Sequence, residues 1–169
     1  MKKALLIAAL FSFLATHAQT YTLQDINRSL KSFGSHMIYL EGPRMLLGSY
    51  DTTELDGTYF KIVLQGELWS AGQHFGKLYQ VISFDARDIS NNVTVVPYTD
   101  PSGGVNRWDV VIKAKMNKNL IHFRNEQISL SNNTHFIRVH QDVPEIRFMF
   151  ISEDAANRFR TIAKAVFKL

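Results

Sequence analysis

Residues 145–167 read EIRFMFISEDAANRFRTIAKAVF and contain an abrupt change in the spacing of their apolar side chains. Up to Ile151 the largest apolar side chains fall on alternate positions, which is the period of a β-strand. After Ser152 they recur every three or four residues, which is the period of an α-helix. The segment therefore predicts a strand over 145–151 that passes directly into a C-terminal helix over 153–167.

The predicted C-terminal helix carries signals at both of its ends. Ser152 is a residue type that caps helices, and Glu153 and Asp154 lie in the first turn, where the helix dipole favours negative charge. Lys164 and Lys168 lie near the other end, where positive charge is favoured. The predicted buried face comprises Ala155, Phe159, Ile162, Ala163 and Val166.

Upstream, from His36 to Ile151, apolar and polar residues alternate between frequent turn signals. The longest alternating run is 108–116, whose predicted buried side ends with Ala114 and Met116. Further strands are predicted at 36–41, 44–50, 58–65, 78–84, 93–98, 119–123, 127–130 and 135–139. Because no helix separates these strands, the predicted fold class is mainly β (α+β), with an antiparallel sandwich or a partly open barrel.

A short helix is predicted ahead of the strands. Thr22 and Asp25 have the spacing of a capping box, apolar residues follow at helical intervals, and Gly34 is placed to end the helix. The sequence therefore predicts a helix over 23–33 that covers one side of the core. No repeat or linker interrupts the chain after it, so 19–169 is predicted to form one domain.

The first 18 residues have the three parts of an export signal. Lys2 and Lys3 are followed by an apolar run of about 12 residues and then by Thr16-His17-Ala18, with small side chains where a signal peptidase reads. We expect cleavage after Ala18 and a working protein in the periplasm or outside the cell. A retained membrane anchor is the alternative, but about 20 apolar residues are needed to span a bilayer.

Composition excludes several functions. The chain has no cysteine, so a lipid anchor at the cleavage site, a disulfide and a thiol nucleophile are all excluded. The formal charge of +4 falls to +2 once Lys2 and Lys3 are removed. This weak excess does not favour a nucleic-acid partner, and no transmembrane segment is expected after cleavage.

Motifs that would carry chemistry are missing. The five histidines after the signal, none at metal-ligand spacing, are His36, His74, His122, His135 and His140. No nucleophile elbow is found either. The prediction is therefore no catalytic residue, no metal, no cofactor and an unknown binding site.

Two acidic segments were weighed as sites. Asp85 and Arg87, followed by Asp88, form either an anchor for a polar ligand or a solvated strand end, and the second interpretation is favoured. Asp51, Glu54 and Asp56-Gly57 form an acidic turn whose spacing does not match a calcium loop, so a hairpin loop is expected there.

Aromatic side chains are the remaining lead, because twenty of the 169 residues are Phe, Tyr or Trp. In strand 145–151, Ile146, Phe148 and Phe150 alternate with Arg147, Met149 and Ile151, and only Arg147 among these six is strongly polar. Cover by the C-terminal helix explains this pattern, and so does an enclosed cavity for a small apolar molecule.

The segment from Glu145 to Phe159, a last strand that runs into an amphipathic helix, resembles the end of pleckstrin-homology-like domains. The resemblance covers roughly residues 78–169. Phe159 stands where such domains often carry tryptophan, and the basic loop that binds phosphoinositides in some members has no counterpart. The resemblance implies a scaffold that binds partners and seldom catalyses.

Three functional hypotheses follow. The first is an exported, non-catalytic binding module for a protein, a peptide or an envelope component, with an open sheet edge as the simplest mode of recognition. The second is a carrier of a small apolar ligand in a β-barrel-like cavity. The third is a hydrolase built from scattered histidine and aspartate residues without a recognisable motif.

Overall fold

The computed structural model describes residues 21–31, 36–40, 44–99 and 104–167. The predicted signal peptide over 1–18 and Gly34 lie outside these ranges. The elements in chain order are α1 (Leu23–Lys31), β1 (His36–Tyr39), β2 (Arg44–Asp56), β3 (Tyr59–Ser70), β4 (Gln73–Asp85), β5 (Thr94–Thr99), β6 (Val105–Lys113), β7 (Ile121–Ser129), β8 (His135–Val143), β9 (Glu145–Phe150) and α2 (Glu153–Val166). Short 3-10 turns lie at Ala86–Asp88 and Lys115–Asn117.

The strands form two antiparallel sheets. The larger has six strands in the order β1-β2-β3-β4-β7-β8, and the smaller has three in the order β5-β6-β9. The larger sheet is not closed into a barrel. The predicted fold class is therefore confirmed: mainly β, antiparallel, with a short N-terminal helix and a C-terminal helix. No helix in the described part of the chain is long and apolar enough to cross a membrane.

Helix α2 begins as its sequence predicts. The Ser152 hydroxyl accepts a hydrogen bond from the Ala155 N–H at 3.3 Å. Four of the five residues on the predicted face are buried, and Val166 is half-buried. The Phe159 ring lies 5.2 Å from the rings of both Phe148 and Phe150 on β9, so the helix covers one face of the smaller sheet.

The residue that follows α2 contacts the larger sheet. Phe167 places its ring edge-on to Phe60 of β3 and Phe84 of β4, at 4.8 and 5.4 Å. The helix and the residue after it thus join the two sheets through aromatic packing. Helix α1 packs against α2 and β2, with Ile26 and Leu30 fully buried.

Two predictions are wrong because strand pairing continues through residues that were expected to form a turn or a break between strands. The acidic turn predicted at Asp51–Gly57 lies mostly inside β2, which pairs with β3 as far as Asp56, and the chain reverses at Gly57 with φ 57°. The strands predicted at 119–123 and 127–130 are one strand, β7. Strands β4 and β8 pair with β7 on either side across residues 123–127, so tertiary pairing overrides the polar sequence there.

The predicted strand over 108–116 ends early. Its last residue in β6 is Lys113. The Ala114 N–H still bonds to the Pro144 carbonyl, but proline has no N–H to return the bond, and the chain then enters a 3-10 turn. Met116, predicted on the buried side, has φ 53° and is 79 % exposed. The prediction for its side chain was therefore wrong.

Strands β2 and β3 approach each other closely at a pair of glycines. Gly48 on β2 lies directly opposite Gly66 on β3. A Cβ atom at Gly66 would lie 2.3 Å from the Leu47 carbonyl oxygen, so no other residue fits without moving the backbone. The two backbones therefore approach more closely here than a side chain at Gly66 would allow.

Candidate functional site

The smaller sheet has one face under α2, and its other face borders an open cleft. Arg107 of β6 and Met149 of β9 line this side, and the opposite wall is formed by β4, β7 and β8. The cleft has two parts of about 340 and 310 Å³, which share Gln80 and Met149. Leu40, beyond β1, also lines it, so the larger sheet curves around the cleft.

Amide side chains line the wall formed by the larger sheet. Sheet register sets Gln80 opposite Asn125, and Gln127 opposite Leu78. Gln141 lies opposite Phe123 on the same face, because directly opposed residues of antiparallel strands point to the same side. The side chains on this face are apolar along β3 and along the second half of β4. They are polar where the face lines the cleft. Four amides thus converge on one surface: Gln80, Asn125, Gln127 and Gln141.

Two of these amides have oxygens without a hydrogen-bond partner. Gln127 is only 7 % exposed, and its Oε1 atom accepts no hydrogen bond from the residues that the structure describes. The same holds for Oδ1 of Asn125. Buried side-chain oxygens are nearly always hydrogen-bonded, and leaving one unpaired costs about 1–3 kcal/mol. Both oxygens are therefore acceptors for which the described part of the chain supplies no donor.

Charged side chains at the cleft are mostly compensated. Arg107 donates to Asp109 at 2.8 Å, and the two side chains are only 11 % and 2 % exposed. The Arg107 guanidinium also lies 4.0 Å from the centroid of the Tyr98 ring. Arg147 donates to Glu145 at 3.2 Å. The cleft therefore offers hydrogen-bonding groups without a large excess of charge.

Apolar side chains complete the lining. Phe123 and Met149 lie in one part of the cleft, and Leu78, Ile137 and again Met149 lie in the other. A ligand that uses both kinds of surface must carry apolar atoms beside its hydrogen-bonding groups. The arrangement can hold and orient such a molecule.

His122 and His140 both lie on the outer face of the larger sheet. His122 of β7 lies directly opposite Asp142 of β8, with 2.5 Å between Nδ1 and a carboxylate oxygen. His140 lies 3.0 Å from Glu126. Both histidines line one open groove of about 600 Å³. Sequence spacing missed these pairs because each one joins residues on neighbouring strands.

Glu126 is the most buried charge on this outer face. Its burial raises the carboxyl pKa, but hydrogen bonds from His140 and Arg124 and the positive charges of Arg124 and Arg138 outweigh that effect, so the pKa is lowered. The carboxylate is held ionised by a ring of donors. Such a ladder of opposite charges stabilises the pairing of β7 with β8.

A row of three residues on this face has the composition of a hydrolytic triad. Ser83, His122 and Asp142 lie opposite one another on β4, β7 and β8. In the described structure no hydrogen bond joins Ser83 to His122, and β4 and β7 each pair on both sides, which occupies the backbone donors that an oxyanion would need. The hydrolase hypothesis therefore stays a prediction with one candidate pair, His122 and Asp142.

Two further histidines, His74 and His135, lie apart from the cleft. His74 contacts the Gly76 carbonyl at 2.9 Å and stacks on Trp69, whereas His135 is exposed at the start of β8. The side chain of His36 lies outside the described part of the structure. No group of three or more potential metal ligands occurs in the described ranges.

Asp85 and Arg87 have a local structural role. The Asp85 carboxylate accepts from the Arg87 N–H at 2.8 Å and from the Arg87 side chain, which caps the 3-10 turn after β4. The Thr58 hydroxyl adds a third donor at 3.0 Å. The hydrogen bonds of Asp85 and Arg87 are therefore explained by a strand end, without a polar ligand.

Comparison with known proteins adds no relative. No protein-family model matches the chain, no curated protein is significantly similar in sequence, and no solved structure matches significantly. The resemblance to pleckstrin-homology-like domains stays a prediction.

Proposed function

We propose that the protein is an exported, non-catalytic binding module that holds a polar ligand in the cleft between its two sheets. The observation that carries the proposal is the pair of buried amide oxygens on Asn125 and Gln127, which accept no hydrogen bond from the residues that the structure describes. If these oxygens served only the fold, their burial without a hydrogen bond would lower the free energy of unfolding. A ligand that donates to them removes this cost on binding.

The lining defines the chemistry of the ligand. Amide oxygens accept from hydroxyl or N–H groups, and amide NH₂ groups donate to hydroxyl or carbonyl oxygens. Two of the three arginines that line the cleft are compensated by Asp109 and Glu145, so we propose a ligand of low net charge. An envelope component rich in hydroxyl or amide groups, with apolar atoms that pack on Phe123 and Met149, matches these requirements.

A carrier of a small apolar ligand is a second candidate. The apolar side chains of the cleft favour it, but the larger sheet is open, so such a ligand would lie in the cleft instead of in a barrel. Native mass spectrometry of protein purified from its source distinguishes the two. A bound mass rich in oxygen and nitrogen supports the polar ligand, and a hydrocarbon-like mass supports the apolar one.

Replacing Gln127 with Met tests the proposed site directly. Methionine has nearly the same volume and no hydrogen-bonding oxygen, so Gln127→Met should abolish the bound mass. It should also raise the free energy of unfolding of the ligand-free protein by about 1 kcal/mol or more, because a buried unpaired oxygen is removed.

Gln65→Met is the matched control, since Gln65 is exposed on β3 outside the cleft. This variant should keep both the bound mass and the stability of the parent. Loss of stability in Gln127→Met with the bound mass retained would assign Gln127 a structural role and overturn the proposal.

A further inference from the structure

Strand β8 is a long open edge of the larger sheet. It has nine residues, none of them buried, and it pairs with β7 but with no other described strand. Exposed strands of this length accept further strands unless the sequence prevents it.

The other edges are short or protected. Strand β1 has four residues, and β5 carries Pro97, which lacks a backbone donor. On the open side of β9 the Met149 N–H is already bonded to the Tyr50 hydroxyl. Strand β8 contains neither a proline nor such a partner among the described residues, so it is the edge available for pairing.

The outer face of β8 is complementary to itself. Arg138 and Asp142 stand two residues to either side of His140, and their side chains are 63 % and 52 % exposed. If β8 pairs antiparallel with its own copy about His140, Arg138 comes to lie opposite Asp142 of the partner subunit. The two-fold axis generates this pair twice.

The same register is favourable for the remaining side chains. Ile137 comes opposite Val143 of the partner subunit. Arg138 lies 3.5 Å from Glu126 within its own chain, but Glu126 keeps His140 at 3.0 Å and Arg124 at 2.9 Å if Arg138 turns toward the partner. Pairing therefore leaves no buried charge uncompensated.

We propose that two copies of the protein associate through β8 in this register, which joins their larger sheets into one continuous antiparallel sheet. Backbone hydrogen bonds along the edge supply the association, and the two Arg138–Asp142 pairs fix the register. The proposal does not rest on the amide oxygens of Asn125 and Gln127, which lie on β7, although β8 contributes Ile137 and Gln141 to the wall of the cleft.

Charge exchange tests the register by sedimentation equilibrium. Arg138→Asp and Asp142→Arg should each weaken the dimer about tenfold or more, since each change creates two like-charge pairs across the axis. An equimolar mixture of the two variants should restore the dimer, because every cross-strand pair then joins Asp to Arg. Lys118→Asp, which changes an exposed loop residue by the same charge as Arg138→Asp, should leave the dimer unchanged.

A covalent test does not depend on those charges. The chain has no cysteine, so His140→Cys introduces a single thiol at the axis. Opposed Cα atoms in antiparallel strands lie about 4.5–5.5 Å apart, which is within disulfide range. Mild oxidation should link His140→Cys into dimers far more than Lys118→Cys. A monomeric parent protein, no recovery in the mixture, or equal linking of the two cysteine variants would each overturn the proposal.

Discussion

Tyr50 connects the two sheets through one hydroxyl group. On β2 its oxygen accepts the Met149 N–H of β9 at 2.8 Å, and its ring packs 5.7 Å from Phe148 and 6.3 Å from Phe150. Burial raises the pKa of the phenol well above its ordinary value, and the nearby charge of Asp109 raises it further, although the Met149 hydrogen bond acts in the opposite direction. The hydroxyl therefore stays neutral wherever the protein is folded.

Removing this hydroxyl should have a measurable cost. Tyr50→Phe leaves the buried Met149 N–H without its acceptor, so the free energy of unfolding should fall by about 1–3 kcal/mol. Urea unfolding should show a lower midpoint with an unchanged slope. Tyr59→Phe, at a half-buried position on β3, should change stability by less than about 0.5 kcal/mol. Equal stability of Tyr50→Phe and the parent protein would contradict this account of the link.

At the scale of elements, the 3-10 turn after β4 is stabilised by an ionised carboxylate. Hydrogen bonds from the Arg87 side chain and the Arg87 N–H lower the pKa of Asp85 well below its ordinary value. Burial acts in the opposite direction, and the Thr58 hydroxyl lowers the pKa further. A carboxyl with a lowered folded-state pKa contributes stability above its unfolded pKa, near 4, and loses it as the pH falls toward the folded value.

The pH dependence of the free energy of unfolding should reveal the contribution of the ionised Asp85 carboxylate. Asp85→Asn should be less stable than the parent above about pH 4, and the difference should shrink as the pH falls further, because the parent loses the same contribution on protonation. Urea unfolding from pH 7 to pH 2.5 gives the measurement. Glu67→Gln, at a residue outside the turn, should lack this dependence. A difference for Asp85→Asn that stays constant with pH would exclude the ionised cap as its cause.

At the scale of the whole molecule, one continuous core joins both sheets and both helices. It runs from Ile26 and Leu30 of α1 through the faces of the two sheets to Phe159 of α2. Because the sheets share this core instead of forming separate ones, neither should survive the loss of the other.

Each sheet carries one tryptophan, so the cooperativity of unfolding can be measured. Trp69 lies on β3 of the larger sheet and Trp108 on β6 of the smaller. Trp108→Phe leaves a reporter on the larger sheet, and Trp69→Phe leaves one on the smaller. In each variant the urea transition followed by fluorescence should coincide with the transition followed by circular dichroism. Two separated transitions would mean that the sheets unfold independently.

Much of the element order could be predicted because periodicity is a local property. Both helices and most strands were expected near their observed positions, and Gly57 and Gly72 mark hairpin turns with positive φ. The errors at β7 and at Met116 share one cause. The ends of those strands are set by partners distant in sequence: β4 and β8 for β7, and Pro144 for the end of β6.

The candidate site could not be predicted from spacing. Asn125 falls in the gap between two predicted strands, and a polar residue there is typical of a loop. Its place in the cleft depends on the register that sets it opposite Gln80. The pairing of His122 with Asp142 was hidden for the same reason, since 20 residues separate them along the chain.

The sequence by itself determined which segments are strands and which are helices, and hence a mainly β fold with a helix at each end of the described chain. Side-chain alternation and helix caps act between near neighbours, so they can be read from the order of residues. The tertiary structure alone decided which strands pair and in which register. Register sets which distant side chains share a face, and so it placed the unpartnered amides of the cleft and left β8 at an open edge.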